Sequence, residues 1–170
     1  MPSEVAELTN AVLDFKYPKN NTRKNILKEG DKSYSGFCLG KVISWAHKDE
    51  NGNNGNREVR LSSRTTQQKY QKIYELACAL PDFEFTTIQF NKNYQCKKHI
   101  DKNNIGISRI IGLGDYEGGE LLIYYDGEDE KPKAIDIKNK FFEFDGSKYY
   151  HETAPFTGER HTLVYYTVEL

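Results

Sequence analysis

Beyond Pro81 the chain breaks into short apolar and aromatic runs separated by Gly, Asn and Asp. This punctuation limits the fold more than any other feature. Phe83–Phe90 alternates, Ile105–Leu113 is rich in Ile, Leu121–Tyr125 and Phe141–Phe144 are apolar and aromatic, and His161–Val168 closes the chain. Between them stand Asn103-Asn104, Gly118-Gly119, Asp126-Gly127, Asp145-Gly146 and Thr157-Gly158. Runs this short, spaced by roughly 8–12 residues, read as strands of a sandwich or barrel rather than of a parallel sheet. With 12 Tyr and 9 Phe among 170 residues, aromatic rings must supply much of the core, and the composition is not that of a disordered chain.

Upstream of Pro81 the texture is mixed. A helix is expected over Glu4–Phe15, then a loop, then a first strand over Phe37–Trp45. Tyr70, Ile73, Ala77 and Leu80 recur at helical spacing, so a helix is expected over Thr65–Leu80, ended by Pro81. The Asn- and Gly-dense stretch from Asp49 to Arg57 reads as the clearest loop, and residues 47–60 are expected to form a mobile flap. No repeat and no long linker divides the chain, so residues 1–170 are read as one domain. Residues 1–82 hold helices and first strands, and residues 83–170 hold the β core.

Twenty-four basic residues against 25 acidic ones leave a net charge of -1. No strong overall attraction to nucleic acid follows, although a local basic patch stays open. Lys16, Lys19, Arg23, Lys24 and Lys28 read first as a solvated surface. No run of 18 apolar residues exists, so no membrane partner is expected. Cys38, Cys78 and Cys96 are odd in number and widely spaced, which fits neither a disulfide framework nor a CxxC zinc pattern. The opening MPSEVAELTN carries no apolar stretch, and the expected location is cytoplasmic. Asn20-Asn21-Thr22 is then a chance sequon.

Among the four histidines, His99 stands two residues before Asp101. On an extended strand residues i and i+2 share a face, so one imidazole and one carboxylate can meet at a point. A second His from another strand would complete a two-His, one-carboxylate set with open positions, the pattern of non-haem Fe(II) oxygenases. Taken alone, His-x-Asp is weak, since a surface hydrogen-bonded pair has the same spacing. Further along, Pro155 to Gly158 reads as a turn that brings His151 and Arg160 together on antiparallel strands. Arg160 and Thr162 again share a face, and a guanidinium beside a hydroxyl clamps a carboxylate well. Tyr94, five residues before His99, is a candidate third hydrogen bond to that carboxylate.

The sequence resembles the Fe(II)- and 2-oxoglutarate-dependent dioxygenases. The resemblance rests on His99-x-Asp101, on His151 fifty residues after Asp101, and on Arg160 nine residues after His151. Arg160-His161-Thr162 is similar to the family's Arg-x-Ser/Thr motif. Asn91-Lys92-Asn93-Tyr94 resembles the strand leading into the metal motif, and Asp115 to Leu121 resembles a family turn between core strands. The similarity covers about residues 83–168 and runs both to the prolyl-hydroxylase-like group and to the base-oxidising TET and JBP branch. A strict prolyl hydroxylase would usually carry Lys at the position of Arg160.

The resemblance implies a mainly β fold with flanking helices, a double-stranded β-helix of the jelly-roll, cupin-like kind. It implies that His99, Asp101 and His151 are catalytic metal ligands for Fe(II), and that Arg160, Thr162 and Tyr94 bind 2-oxoglutarate. His161 is the rival ligand, but Arg160 and Thr162 need the opposite face of its strand, and a solvent-facing side chain is expected. The implied reaction consumes dioxygen and 2-oxoglutarate, yields succinate and carbon dioxide, and hydroxylates a substrate C–H bond, with ascorbate as a candidate reductant. The expected substrate is a protein or peptide side chain, the alternative a nucleobase in nucleic acid with Lys97, Lys98 and Lys102 on phosphate. A non-catalytic metal-binding jelly roll is the third reading.

Overall fold

Apolar residues at helical spacing begin the structure. The computed structural model describes residues 3–45, 57–102 and 104–169. Helix α1, Ser3–Asp14, buries Val5, Leu8 and Val12 along one stripe. Helix α2, Gln68–Ala79, does the same with Tyr70, Ile73 and Ala77. Each such aliphatic side chain contributes about 1.5–3 kcal/mol when fully buried. The second helix starts three residues later than its spacing predicts. Ser63–Thr66 forms a tighter 3-10 turn instead, and the Thr65 hydroxyl accepts a hydrogen bond from the Gly40 amide at 2.9 Å.

Twelve strands follow the described chain: β1 Lys19–Asn20, β2 Tyr34–Trp45, β3 Arg57–Leu61, β4 Thr87–Lys92, β5 Ser108–Leu113, β6 Tyr116–Gly118, β7 Leu121–Ile123, β8 Lys133–Ile135, β9 Phe142–Phe144, β10 His151–Thr153, β11 Phe156–Gly158 and β12 His161–Tyr166. The large sheet runs β1-β2-β4-β12-β5-β9, with β3 also paired to β2. A smaller sheet runs β10-β7-β8, and β11 pairs β6 as a ribbon. Every named pairing is antiparallel. This is the mainly β, double-stranded β-helix architecture with flanking helices that the resemblance implies.

The strand period of two sorts the large sheet into two faces. Phe37, Leu39, Ile88, Phe90, Ile111, Leu113, Leu163 and Tyr165 meet the buried stripes of both helices in one core. Phe37 stacks on Phe90 at 4.6 Å, and the Tyr165 hydroxyl donates to the Ala77 carbonyl at 2.6 Å. The α2 helix therefore lies outside the sheets with its apolar face inward, as expected. On the other face, Ile110 and Phe144 join Leu121, Ile123 and Ile137 in a second core against the smaller sheet. Beyond it the inner faces part around a cavity.

Some elements depart from their sequence signals. The alternating run at 83–90 becomes a strand only from Thr87, because Phe83 and Phe85 turn edge-on to Tyr165 and close the core. Residues 57–60 of the expected flap belong to β3, in which Leu61 stands opposite Lys41 and Arg57 opposite Trp45. His47 and the rest of that flap, residues 47–56, lie outside the described residues. His161 does take the face opposite Arg160 and Thr162, but that face is buried. It is fully enclosed, with Nδ1 2.9 Å from the Tyr17 hydroxyl and Nε2 3.1 Å from Glu159.

Candidate metal centre and the anion corner beside it

The cavity on the inner face holds about 680 Å³. At one end His99 and Asp101 arrive from the segment after β4, while His151 opens β10. The two stretches are joined by reciprocal backbone bonds between His99 and His151, each 3.0 Å. The pairing brings the two imidazoles together, ring centres 4.3 Å apart and planes inclined at 57°. Asp101 is anchored by its own amide on the Gly146 carbonyl at 2.8 Å.

One candidate ligand atom from each of these three residues lies within 4.8 Å of the other two. Asp101 Oδ2 is 3.2 Å from His151 Nε2, and Oδ1 is 3.6 Å from His99 Nε2. Nδ1 of His99 lies 2.6 Å from the Lys97 carbonyl, and Nδ1 of His151 lies 3.0 Å from the Tyr149 carbonyl. Carbonyls only accept, so each Nδ1 carries a proton, and a neutral ring then leaves its Nε2 lone pair for a metal. Burial, and then the neighbouring His151, push His99 down to about 4, which keeps it neutral. Burial also works to raise the Asp101 carboxyl, but the adjoining His151 and the Arg23 guanidinium outweigh it and hold the acid well below the usual range. Two imidazoles and one carboxylate are the donor set that suits iron of intermediate softness.

Asp101 has partners that sequence reasoning missed. Arg23 Nη2 donates to Oδ1 at 3.3 Å, and the Asn25 amide donates to the same oxygen at 3.4 Å. Both come from the segment first read as solvated surface. That segment is tied down by Ile26, Leu27 and Tyr34, which form a small core with Tyr94 and Cys96. The only hint in the sequence is the apolar pair Ile26-Leu27 amid polar residues.

Arg160 enters the cavity further along, next to β12. It is 4% exposed, and its Nε and Nη2 donate to the Gly119 carbonyl at 3.1 and 2.8 Å. Gly119 has φ +69, and a β-carbon there would lie 2.6 Å from Arg160 Nε. Only glycine tolerates both conditions. Among the described residues Arg160 makes no ion pair, so a buried guanidinium faces the cavity without an anion, and burial pushes its pKa down. Thr162 follows on the same face and accepts a hydrogen bond from the Asn91 side-chain amide at 3.1 Å. The hydroxyl's own proton remains free to donate.

Tyr94 does not join them, which corrects the expectation. Its hydroxyl accepts from the Lys28 amide at 2.7 Å and donates to Asp31 at 2.8 Å. Asn93, with φ 49, breaks the alternation after β4 and turns Tyr94 out of the row that Asn91 begins. Asn91 and Gln89 line the cavity floor instead, together with Cys38 and Cys96, whose thiols burial pushes up.

No protein-family model matches the sequence, and a search of curated proteins finds no relative. The fold does have solved counterparts. NgTET1 in complex with 5mC DNA superposes with TM-score 0.59 at 16% identity, covering 99% of this chain and 69% of that one. A 2OG-Fe(II) oxygenase family oxidoreductase from Burkholderia pseudomallei gives 0.54 at 12% identity, covering 95% and 76%. OsALKBH1 gives 0.53 at 11% identity, covering 96% and 91%. At these identities the likeness is one of fold.

Proposed function

We propose that this chain is an Fe(II)- and 2-oxoglutarate-dependent dioxygenase, a single catalytic domain that hydroxylates a C–H bond of a macromolecule. One observation carries the reading. A two-imidazole, one-carboxylate cluster and a buried guanidinium with no anion among the described residues line the same cavity. His99, Asp101 and His151 would hold the metal, and Arg160 with Thr162 would take the far carboxylate of 2-oxoglutarate. When bound, metal and cosubstrate supply the oxidising power, with succinate and carbon dioxide as co-products. The residues here perform the remaining tasks. The Lys97 and Tyr149 carbonyls fix the imidazole tautomers, Arg23 and Asn25 orient Asp101, and Leu121, Ile110 and Val164 give the cavity an apolar wall that limits water.

For the substrate, the rim of the cavity favours a nucleobase over a peptide side chain. Thr22, Arg23, Asn25, Lys102 and Asn104 all line it. Amides offer paired donors and acceptors to a base edge, and cations suit phosphate. The near-zero net charge points toward peptide, but the cavity lining carries Arg23, Lys102 and Arg160 against Asp101 and Glu152, a small positive balance. The test is succinate release from the Fe(II)-loaded protein, with 2-oxoglutarate and ascorbate, against peptide and oligonucleotide pools. Release stimulated by oligonucleotides, with one oxygen gained by a base in mass spectrometry, supports the reading. Stimulation by peptides alone reverses the choice of substrate, and no release with any pool removes the dioxygenase.

A further inference from the structure

The corner around Arg160 holds a third group that neither motif spacing nor the fold assigns. Tyr116, at the start of β6, is 2% exposed, and its hydroxyl has no hydrogen-bond partner among the described residues. Buried hydroxyls are almost always paired, so this one needs a reason. The only other such hydroxyl found, Ser108 Oγ, lies four positions back along β5 from Gly112, opposite Phe144.

The Tyr116 hydroxyl occupies the space above Gly112, where a β-carbon would collide with it. Gly112 is the direct partner of Thr162 across β5 and β12, and Thr162 is the partner of Asn91 across β12 and β4. Side chains at directly opposed positions share a face at about 4.5–5.5 Å. The phenol therefore takes the place of the missing third side chain in this row, on the Thr162 side of the sheet. The Arg160 guanidinium carbon lies 5.7 Å from the Tyr116 ring centre. The outer N–H groups of Arg160, the Thr162 hydroxyl and the Tyr116 hydroxyl thus stand in one corner, with no acceptor for them among the described residues.

We propose that Tyr116 is a 2-oxoglutarate-binding residue, donating to the far carboxylate together with Arg160 and Thr162. Gly112 is glycine because any side chain there would expel the phenol. A carboxylate offers about four lone-pair sites, enough for all three donors. The inference rests on the 2-oxoglutarate reading above, and the experiment separates the two. 2-Oxoglutarate is titrated without oxygen into Mn(II)-loaded wild-type and Tyr116→Phe proteins, alongside 2-oxobutyrate, which lacks the far carboxylate. Melting curves are taken of both proteins free of metal and ligand.

Tyr116→Phe should weaken 2-oxoglutarate by about tenfold or more, and change 2-oxobutyrate by less than about twofold, since only a charged acceptor is lost to the phenol. The ligand-free melting temperature should not fall, because the deleted hydroxyl has no partner in the protein. Unchanged 2-oxoglutarate affinity overturns the assignment of Tyr116 and leaves the cosubstrate reading standing. Equal weakening of both ligands with a lower melting temperature makes Tyr116 a packing residue and also overturns it. Failure of the wild-type protein to bind 2-oxoglutarate overturns both.

Discussion

The two ends of the cavity differ in how their charges are balanced. At the metal end every charge has a partner. Asp101 receives Arg23 and Asn25 on one oxygen and faces His151 with the other. At the far end Arg160 is as deeply buried, but among the described residues its guanidinium has only the Gly119 carbonyl as an acceptor. A closed electrostatic circuit preorganises ligands before the metal arrives, whereas an open one is completed by an incoming anion. The difference teaches that the metal end should fail by losing its shape, and the anion corner by losing its charge.

The largest effect should come from Asp101→Ala. It deletes the single carboxylate of the ligand set and leaves Arg23 facing two imidazoles. Mn(II) or Fe(II) titration should show a loss exceeding the roughly 10–100-fold that removing a supporting residue costs. Succinate formation should vanish, while the fold persists by circular dichroism, since Asp101 belongs to none of the three hydrophobic cores. Full iron occupancy in this variant would falsify the ligand assignment.

Arg160→Ala should leave metal binding intact and weaken 2-oxoglutarate. Losing one partner of a buried charged pair costs about 2–5 kcal/mol, and a calorimetric titration reads this as at least a tenfold rise in Kd. An unchanged constant would place the clamp elsewhere.

Acid should separate the ends. His99 titrates near 6.5 when unfolded and at about 4 when folded. Between those values the unfolded chain binds the extra proton, so stability present above pH 6.5 is lost progressively as the pH falls toward 4. A 2.5-unit difference corresponds to about 3 kcal/mol as an upper limit. Metal-free protein should melt progressively lower across this window, and His99→Gln should flatten that slope. A slope unaltered by the substitution assigns the acid sensitivity to other groups.

The smallest effect should follow Arg23→Ala. Metal affinity should drop by about 10–100-fold, while 2-oxoglutarate affinity at saturating metal stays the same. A matching loss of both would mean that Arg23 serves the whole cavity and not Asp101 alone.

The two ends were also unequally legible in the sequence. His99 and Asp101 sit two residues apart, and Arg160 and Thr162 do likewise, so strand periodicity exposes both pairs. His151 shows only in its distance from Asp101, because Phe156–Gly158, read as part of a turn, is strand β11 paired with β6, and β10 and β12 lie in different sheets. Tyr94 obeys no such rule, since the left-handed Asn93 interrupts the strand between Asn91 and itself. Arg23 reaches Asp101 across 78 residues from an irregular segment, and no local pattern reports such a meeting. Tyr116 is hidden for another reason, because its role depends on the side chain that Gly112 lacks. The helices and the main strands were readable from their periods. The three-residue strands β6, β8, β10 and β11 are too short to carry a period and are defined by their partners, whereas β7 and β9, equally short, sit in the apolar runs Leu121–Tyr125 and Phe141–Phe144.

The account stands on one cavity grasping one molecule at both ends, and an anaerobic titration of 2-oxoglutarate with and without one equivalent of Fe(II) tests that directly. The prediction is one molecule bound per chain, at least about tenfold more tightly with iron than without, a gap of about 1.4 kcal/mol. Affinity that ignores iron, or no binding in its presence, would contradict the account.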